Sequence, residues 1–406
     1  MTLREELLQV YKSTVTSTDV ASRVHDALPA RPPRALSASV IAMGKAAPAM
    51  AAGALQRWSP YIEKLLIVTA DGVPCGLTDP RIELLRAPHP LPDARSVFAA
   101  SRALDVAREA PGLVLALVSG GTSSLVAAPI DGITLEEKRE IITQMMGSAA
   151  SIQEINTVRR HISKVKGGGL TRAAAPTHTL AYVLSDVIGG APQDVGSGPT
   201  VPDPTTTAEA RAILLRHARR FRSIPMKETL KPGDPEASLQ KVRTILAPED
   251  LARIAAELLM NAGYGVRVLP PVSIEVQRMA SEYRALAHQL AHGEAVVRAA
   301  EPLVAMGGIK PGRGGRAVHL AAVLAHTLPA GVAFLCGASD GVDGGSGTAG
   351  AIVDAEFCAT IDEATCDDAI RRFDTARLHE EAGTALRGGP TGLNLADLHV
   401  VVRSKT

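Results

Sequence analysis

Runs of β-branched and aliphatic residues recur along the chain, separated by longer stretches whose apolar residues return at helical spacing. The apolar runs predict strands at 38–43, 64–69, 113–119, 179–185, 265–268, 303–306, 332–336, 350–353 and 398–402. The periodic stretches predict helices at 3–16, 46–56, 95–109, 135–148, 152–164, 248–261, 273–292 and 315–326. Strands and helices take turns, and glycines sit at the strand ends. That order predicts an α/β fold with largely parallel sheets. The run Val114-Leu115-Ala116-Leu117-Val118 lacks polar alternation, as a strand buried on both faces requires. Between Arg222 and Pro248 the pattern breaks at Pro225, Pro232, Gly233, Asp234 and Pro235, which reads as a linker. The expected division is a first domain at 1–235 and a smaller second one at 236–406.

Composition narrows the function classes. The 406 residues exceed the ~100–200 of one ordinary domain, in keeping with two. Lysine and arginine number 43 against 42 acidic residues, so there is no electrostatic footprint for nucleic acid or anionic lipid. Aromatic residues are 3% of the chain, too few for base-stacking platforms. The N-terminal residues carry charge from Arg4 onward with no apolar core of a secretory signal. No apolar run approaches the ~18 residues of a membrane span. Cys75, Cys336, Cys358 and Cys366 are scattered, with no CxxC and no zinc-ligand spacing. Four such thiols suit a reducing cytoplasm.

Candidate chemistry lies in the glycine-rich turns, because open α/β sheets bind ligands beyond the carboxyl ends of their strands. Gly44-Lys45 follows the first strand, where a lysine can neutralise phosphate or simply start a helix in solvent. Ser119-Gly120-Gly121-Thr122-Ser123-Ser124 follows the most apolar strand, and reads as an anion nest or as a plain strand-to-helix turn. Asp186 ends the strand at 179–185, a position for a magnesium ligand or general base, or for a helix cap. The loop 306–316 mixes Lys310, Arg313 and Arg316 with glycines, which reads as an anion clamp or an exposed loop. In 337–350, Asp340 and Asp343 could hold magnesium or fix the loop through Asx turns. The basic stretch 156–169 puts Arg159 with Ser163 on one helical face and Arg160 with Lys164 on another, which by spacing alone reads as a solvated helix end. There is no HExxH, no GxSxG, no Walker A loop and no GxGxxG after the first strand.

Several of these segments, taken in order, resemble the glycerate 2-kinase family, two-domain enzymes often labelled hydroxypyruvate reductases. The matching pieces are MGKAA at 43–47, SGG at 119–121, INTVRRHISKVKGG at 155–168, LSDV at 184–187, SGPTVPDPTT at 197–206, GRGGR at 312–316, ASDGVDG at 338–344 and GGPTGLNLADL at 388–398. The resemblance implies a Rossmann-like αβα sandwich followed by a smaller α/β domain, with the active site in the cleft between them. It implies transfer of the ATP γ-phosphoryl group to the 2-hydroxyl of D-glycerate or a related small hydroxy acid, with Mg2+. Lys45 and Arg316 match the family's proposed catalytic lysine and arginine, and Asp186 stands beside them. Ser119, Gly120, Gly121, Thr122, Ser123, Arg159, Lys164 and Arg313 are implied in phosphate or substrate binding, and Asp186, Asp340 and Asp343 in holding the metal.

The chain also departs from the family pattern. Gly189, Gly190 and Ala191 stand where acidic residues usually follow SDV, Ile309 replaces a glutamate, and Gly169 replaces the arginine of KGGR. Two alternatives therefore stay open: an NAD(P)H-dependent hydroxypyruvate reductase, and a divergent paralogue that binds ligand with little kinase activity. The expected partners are ATP and a small hydroxy acid, with no nucleic acid and no membrane; the oligomeric state, a homodimer included, is open.

Overall fold

A computed structural model of the protein describes residues 2–148 and 150–406. Its contacts group residues 20–246 into one unit, and residues 1–19 with 247–406 into another. The chain opens on α1 (Leu3–Ser17), which belongs to the second unit, and then enters the first. The first unit contains α2 (Val20–Ala27), β1 (Ala38–Met43), α3 (Ala47–Trp58), β2 (Ile62–Ala70), β3 (Ile82–Ala87), α4 (Ala94–Arg108), β4 (Leu113–Val118), α5 (Thr122–Leu125), α6 (Leu135–Gly147), α7 (Ile152–His161), α8 (Gly169–Ala174), β5 (Thr179–Leu184), α9 (Thr207–His217) and β6 (Gln240–Leu246).

All six strands of this unit run parallel in the order β3-β2-β1-β4-β5-β6, the arrangement of a doubly wound dinucleotide-binding sheet. Every residue of β1 and β4 is buried, because helices cover both faces. Ile41, Met43, Leu66, Val68, Val114, Ala116 and Val118 pack on Ala99, Ala100, Ala103 and Leu104 of α4. The alternate residues of these strands face the other way, where α3 packs on β1 and β2. Few aromatics are needed: small alanines let α4 lie close on the sheet.

The linker expected at 222–248 contains β6, the edge strand beside β5. The unit boundary therefore falls after Leu246, not near 235. β6 exposes alternate residues, so it shows no continuous apolar run. β3 escaped the pattern for a related reason. Its polar residues are compensated, with Glu83 gripped by Arg102 and Arg86 donating to the Ala70 and Val73 carbonyls.

The second unit holds α10 (Pro248–Asn261), β7 (Gly265–Val268), β8 (Val272–Glu275), α11 (Val276–Gln289), β9 (Glu294–Leu303), α12 (Arg316–Ala325), β10 (Val332–Ala338), β11 (Gly350–Val353), α13 (Ala355–Thr360), α14 (Glu363–Arg371), α15 (Ala376–Glu381), β12 (Ala385–Leu386) and β13 (Asp397–Arg403). Its sheet runs β12-β11-β10-β13-β9-β7, with β8 also on β9. Here the expectation of a largely parallel sheet fails. Only β7 and β8 are parallel to β9; the other pairings are antiparallel. The strand expected at 303–306 lies almost wholly beyond the observed one: β9 ends at Leu303, and its Arg298 and Glu301 are neutralised by Glu282 and Arg316. The helix expected from 273 begins at 276, since 272–275 pairs with β9 as β8. Among the described residues, no helix is long and apolar enough to cross a membrane.

α1 is fastened to the second unit by Tyr11. Its hydroxyl donates to Ala338 O at 2.7 Å, and its ring lies where Gly337 of β10 leaves no side chain; a Cβ there would come within 2.6 Å of Tyr11 Cε2. Tyr11→Phe should cost about 1 kcal/mol for the lost hydroxyl bond. Tyr11→Ala should cost about 3–4 kcal/mol through the cavity it leaves. Chemical denaturation of the full chain measures both; equal effects would show that the ring fills no essential space.

Candidate active site

The sheet order of the first unit reverses between β1 and β4, so the turns leaving these two strands flank the crevice where such sheets bind ligands. Both turns are the ones singled out in the sequence, and they are hydrogen-bonded to each other. Met43 O, at the end of β1, accepts from Ser119 N at 2.9 Å and lies 2.9 Å from Thr122 Oγ1. Thr122 Oγ1 also lies 2.7 Å from Ser119 O. In return Lys45 N donates to Gly120 O at 2.9 Å and Ala46 N to Ser119 Oγ at 3.1 Å. Ser119 and Thr122 are buried, so these two hydroxyls join the turns rather than facing a ligand.

Gly44 makes the approach feasible. Its φ is +121°, and a Cβ would stand 2.1 Å from Ser119 Oγ and 2.6 Å from Ser119 O. Gly121, at φ +87°, leaves room for the Lys45 side chain, whose Cγ lies 3.3 Å from the position a Cβ would take. Exposed His89, just beyond β3, reaches the same point, with Cδ2 at 3.4 Å. Lys45 therefore lies over the Gly120–Gly121 turn with His89 beside it, at the mouth of the switch point.

A cleft of about 280 Å3 opens from this turn. Gly120, Gly121, Ser123, Arg159 and Asp186 all line it, together with Asn156, Asp194 and the 187–190 backbone. The structure thus brings together five of the expected site residues, with Lys45 over the glycine turn and Ser119 and Thr122 fixing it from below. A chain of hydrogen bonds orders the wall: Lys166 Nζ donates to Ser123 Oγ at 2.9 Å, Ser123 Oγ lies 3.2 Å from Ser197 Oγ, and Ser197 donates to Asn156 Oδ1 at 3.1 Å. Arg159 Nη1 reaches the same Asn156 oxygen at 3.4 Å. Ser197 holds the left-handed φ of +60° that a serine rarely adopts, a strain that the surrounding bonds must sustain.

Lys164 is placed elsewhere. It pairs with Asp131 at 2.6 Å and lines a separate cleft with Arg172 and Lys227. Arg160, its neighbour in the motif, is buried against Asp203 at 3.2 Å, and Asp203 also binds Thr205 and Thr229. The SGPTVPDPTT segment is therefore a hub that anchors α7.

The remaining expected residues lie in the second unit. Arg316 opens α12, with Nη1 3.1 Å from Glu301 and Nε 2.8 Å from the buried Asp397. Arg313 is tied to Glu380 and to Ser346 O. Asp343 spends both carboxylate oxygens on α12, accepting from Ala317 N at 3.0 Å and Val318 N at 2.9 Å. Burial still pushes its carboxyl above the usual range. Asp340 accepts from Val342 N at 3.1 Å, an Asx turn. Among the described residues, the group of three side chains close enough to share a metal is Cys336, Asp397 and His399, not the expected aspartates. That group is already satisfied: His399 bonds Tyr283 at 2.8 Å and Cys336 at 3.0 Å, and Asp397 holds Arg316.

Sequence reasoning missed His89, Asn156, Lys166, Ser197 and Asp194. Lys166 and Ser197 lay inside quoted motifs, but nothing in their spacing distinguishes a cleft wall from a turn. Asp194 supplies a carboxylate three residues beyond the point where the family's acidic positions have become Gly189, Gly190 and Ala191.

Fold and site together define a doubly wound α/β protein with a lysine, a glycine turn, an arginine and a carboxylate gathered at the switch point of a parallel sheet. Comparison with known proteins is specific. A family model described as a domain of unknown function, DUF4147, matches residues 6–227, and that of the MOFRL family matches 290–397. A D-glycerate 2-kinase of Thermotoga maritima is 30% identical, covering 88% of this chain and 89% of its own. A putative hydroxypyruvate reductase of Agrobacterium vitis is 33% identical over 98% of this chain and 94% of its own. The crystal structure of a glycerate kinase from Thermotoga maritima superposes with a TM-score of 0.86 at 28% identity, over 99% of each chain. The chain belongs to the glycerate 2-kinase family.

Gly44→Ala should destabilise the protein by at least ~2 kcal/mol, since backbone and not only a flexible side chain blocks the new methyl. Gly189→Ala, also at positive φ but with no atom within 4 Å, should cost only about 1 kcal/mol. Thermal unfolding of the two variants compares them; equal losses would mean that the contact between the turns is not tight.

Proposed function

We propose that this protein is an ATP-dependent kinase that phosphorylates the 2-hydroxyl of D-glycerate or a closely related small hydroxy acid. The observation that carries the reading is Lys45 lying over the Gly120–Gly121 turn, at the sheet's switch point, beside a cleft that holds Arg159 and Asp186. Family membership supplies the use of ATP and of a small-molecule acceptor. The reductase reading lacks its structural support, since the turn after β1 carries one glycine and a lysine where a dinucleotide site needs GxGxxG.

Phosphoryl transfer depends on positioning and on neutralising charge over the transferred group. In this reading the glycine turn lets the polyphosphate approach the backbone closely, and Lys45 places a point charge on the moving phosphoryl. The 2-hydroxyl oxygen attacks the γ-phosphorus, the bond to the bridging oxygen breaks, and Asp186 takes up or orients the hydroxyl proton. Arg316, in the second unit, is the other cation expected from the family motif, and Glu301 and Asp397 hold it in one orientation. Magnesium fits the donors present, because it is commonly held by one or two carboxylates plus substrate phosphates, and Asp186 and Asp194 share the cleft. When bound it would neutralise charge on the phosphate oxygens. Four free cysteines accord with a reducing compartment such as the cytoplasm.

ADP release on a panel of hydroxy acids tests the activity. Lys45→Ala should lose transition-state stabilisation of about 2–4 kcal/mol while its unfolding temperature stays near that of the wild type. Wild-type turnover in that variant removes Lys45 from the mechanism. Asp186→Asn should shift the magnesium titration to higher concentration or abolish turnover; an unchanged titration assigns Asp186 to loop structure alone.

A further inference from the structure

α6 carries a lysine where its pattern calls for an apolar residue. Lys138 stands on one buried stripe with Ile141 and Met145 and is only 5% exposed. Its Nζ has no hydrogen-bond partner among the described residues. The charge acting on it is that of Arg159, on the cleft wall, and it acts in turn on Lys166. Lys166 is buried too, and its ammonium meets only neutral acceptors, Ser123 Oγ and Gly196 O at 3.0 Å, both on residues lining the cleft. Burial, then the Arg159 charge, pulls Lys138 down to about 7. Burial, then Lys138, Arg159 and Arg160, pulls Lys166 well below the ordinary lysine range.

Buried ammonium groups are costly without a counter-charge, and the protein elsewhere provides one. Arg160 has Asp203, Arg298 has Glu282, and Arg316 has Asp397 and Glu301. Around Lys138 and Lys166 the charges among the described residues that shift them are all positive. Perturbed groups of this kind, placed behind a cleft, mark sites where a ligand completes the electrostatics. The cleft at the switch point contains Arg159 with Ser123 and Gly196, the two residues that Lys166 bonds, while Lys166 itself lines the neighbouring cleft that holds Lys164 and Arg172.

We propose that Arg159, backed by Lys138 and Lys166, forms a cationic pole of this cleft, and that it receives an oxyanion of a substrate. The proposal rests on the kinase reading for which substrates those are: the carboxylate of the hydroxy acid, or a phosphate of ATP. Arg159 touches the oxyanion. Lys138 and Lys166 are positioning residues, the first through its field on Arg159 and the second by holding Ser123 and Gly196. Asp186 and Asp194 give the same cleft carboxylates for the hydroxyl and the metal, so it offers both signs of charge.

The test is Lys138→Met in the full chain, which keeps the length and removes the charge. Binding of D-glycerate without nucleotide, and of ATP without acid, is measured by calorimetry alongside thermal unfolding of the free protein. The unfolding temperature should stay level or rise, since a buried amine without a hydrogen-bond partner is gone. The Kd for D-glycerate should rise at least ~10-fold if its carboxylate is the counter-charge. A rise confined to ATP would assign the pole to phosphate instead. A lower unfolding temperature with both Kd values unchanged would make Lys138 structural and overturn the proposal. Should the variant not fold, wild-type binding at pH 8 in buffers of different ionisation enthalpy serves: the anion should draw protons onto the lysines, and heats independent of buffer would overturn it. Binding is read without turnover, so a wild type that binds D-glycerate yet releases no ADP contradicts the kinase reading alone.

Discussion

Everything at the candidate site depends on how closely two backbone turns can approach. β1 and β4 are neighbours in a parallel sheet, and the chain leaves each of them at the point where the strand order reverses. Met43 O, Ser119 and Thr122 hold the turns together, and the absence of a side chain at Gly44 lets them meet. That contact sets the direction in which Lys45 leaves the backbone. It also spends two hydroxyls, Ser119 and Thr122, that a reading of the motif alone assigns to a ligand. The serine that stays on the cleft is Ser123, and it is held by Lys166.

Buried charge is handled in two ways. In the second unit, Arg316 is clamped by Glu301 and Asp397, Asp343 caps α12, and His399 bonds both Tyr283 and Cys336. Arg316, Asp343 and His399 each have protein partners there, as expected of a network that keeps one arginine in one place. In the first unit, Arg159 shares its cleft with Asp186 and Asp194, while the charges that act on Lys138 and Lys166 are all positive. A stable core has no need of such an arrangement, whereas a site that receives anions does.

Much of this was legible in the sequence. Strands buried on both faces announce themselves as unbroken apolar runs, so β1 and β4 emerged with their limits nearly intact, and with them the two turns that build the site. Edge strands did not, because β3 and β6 are half exposed and carry polar residues whose partners lie far along the chain, such as Arg102 for Glu83. Strand direction in the second unit was equally hidden, since antiparallel pairing of β9, β13 and β10 joins segments separated by helices. At the site, glycine and lysine in a strand-end turn are a local signal. The burial of Lys138 is not: a lysine on an apolar stripe looks like an interruption of the helix pattern until the charge of Arg159 on α7 is seen to act on it.

The central claim is that the β1 and β4 turns and the cleft beside them receive the anionic substrates. A crystal structure of the protein with ADP and D-glycerate tests it most directly. The account predicts phosphate oxygens at the Gly120–Gly121 turn within reach of Lys45, and a substrate oxyanion on Arg159. Both ligands bound elsewhere, with the cleft between Arg159 and Asp186 filled by solvent, would contradict it.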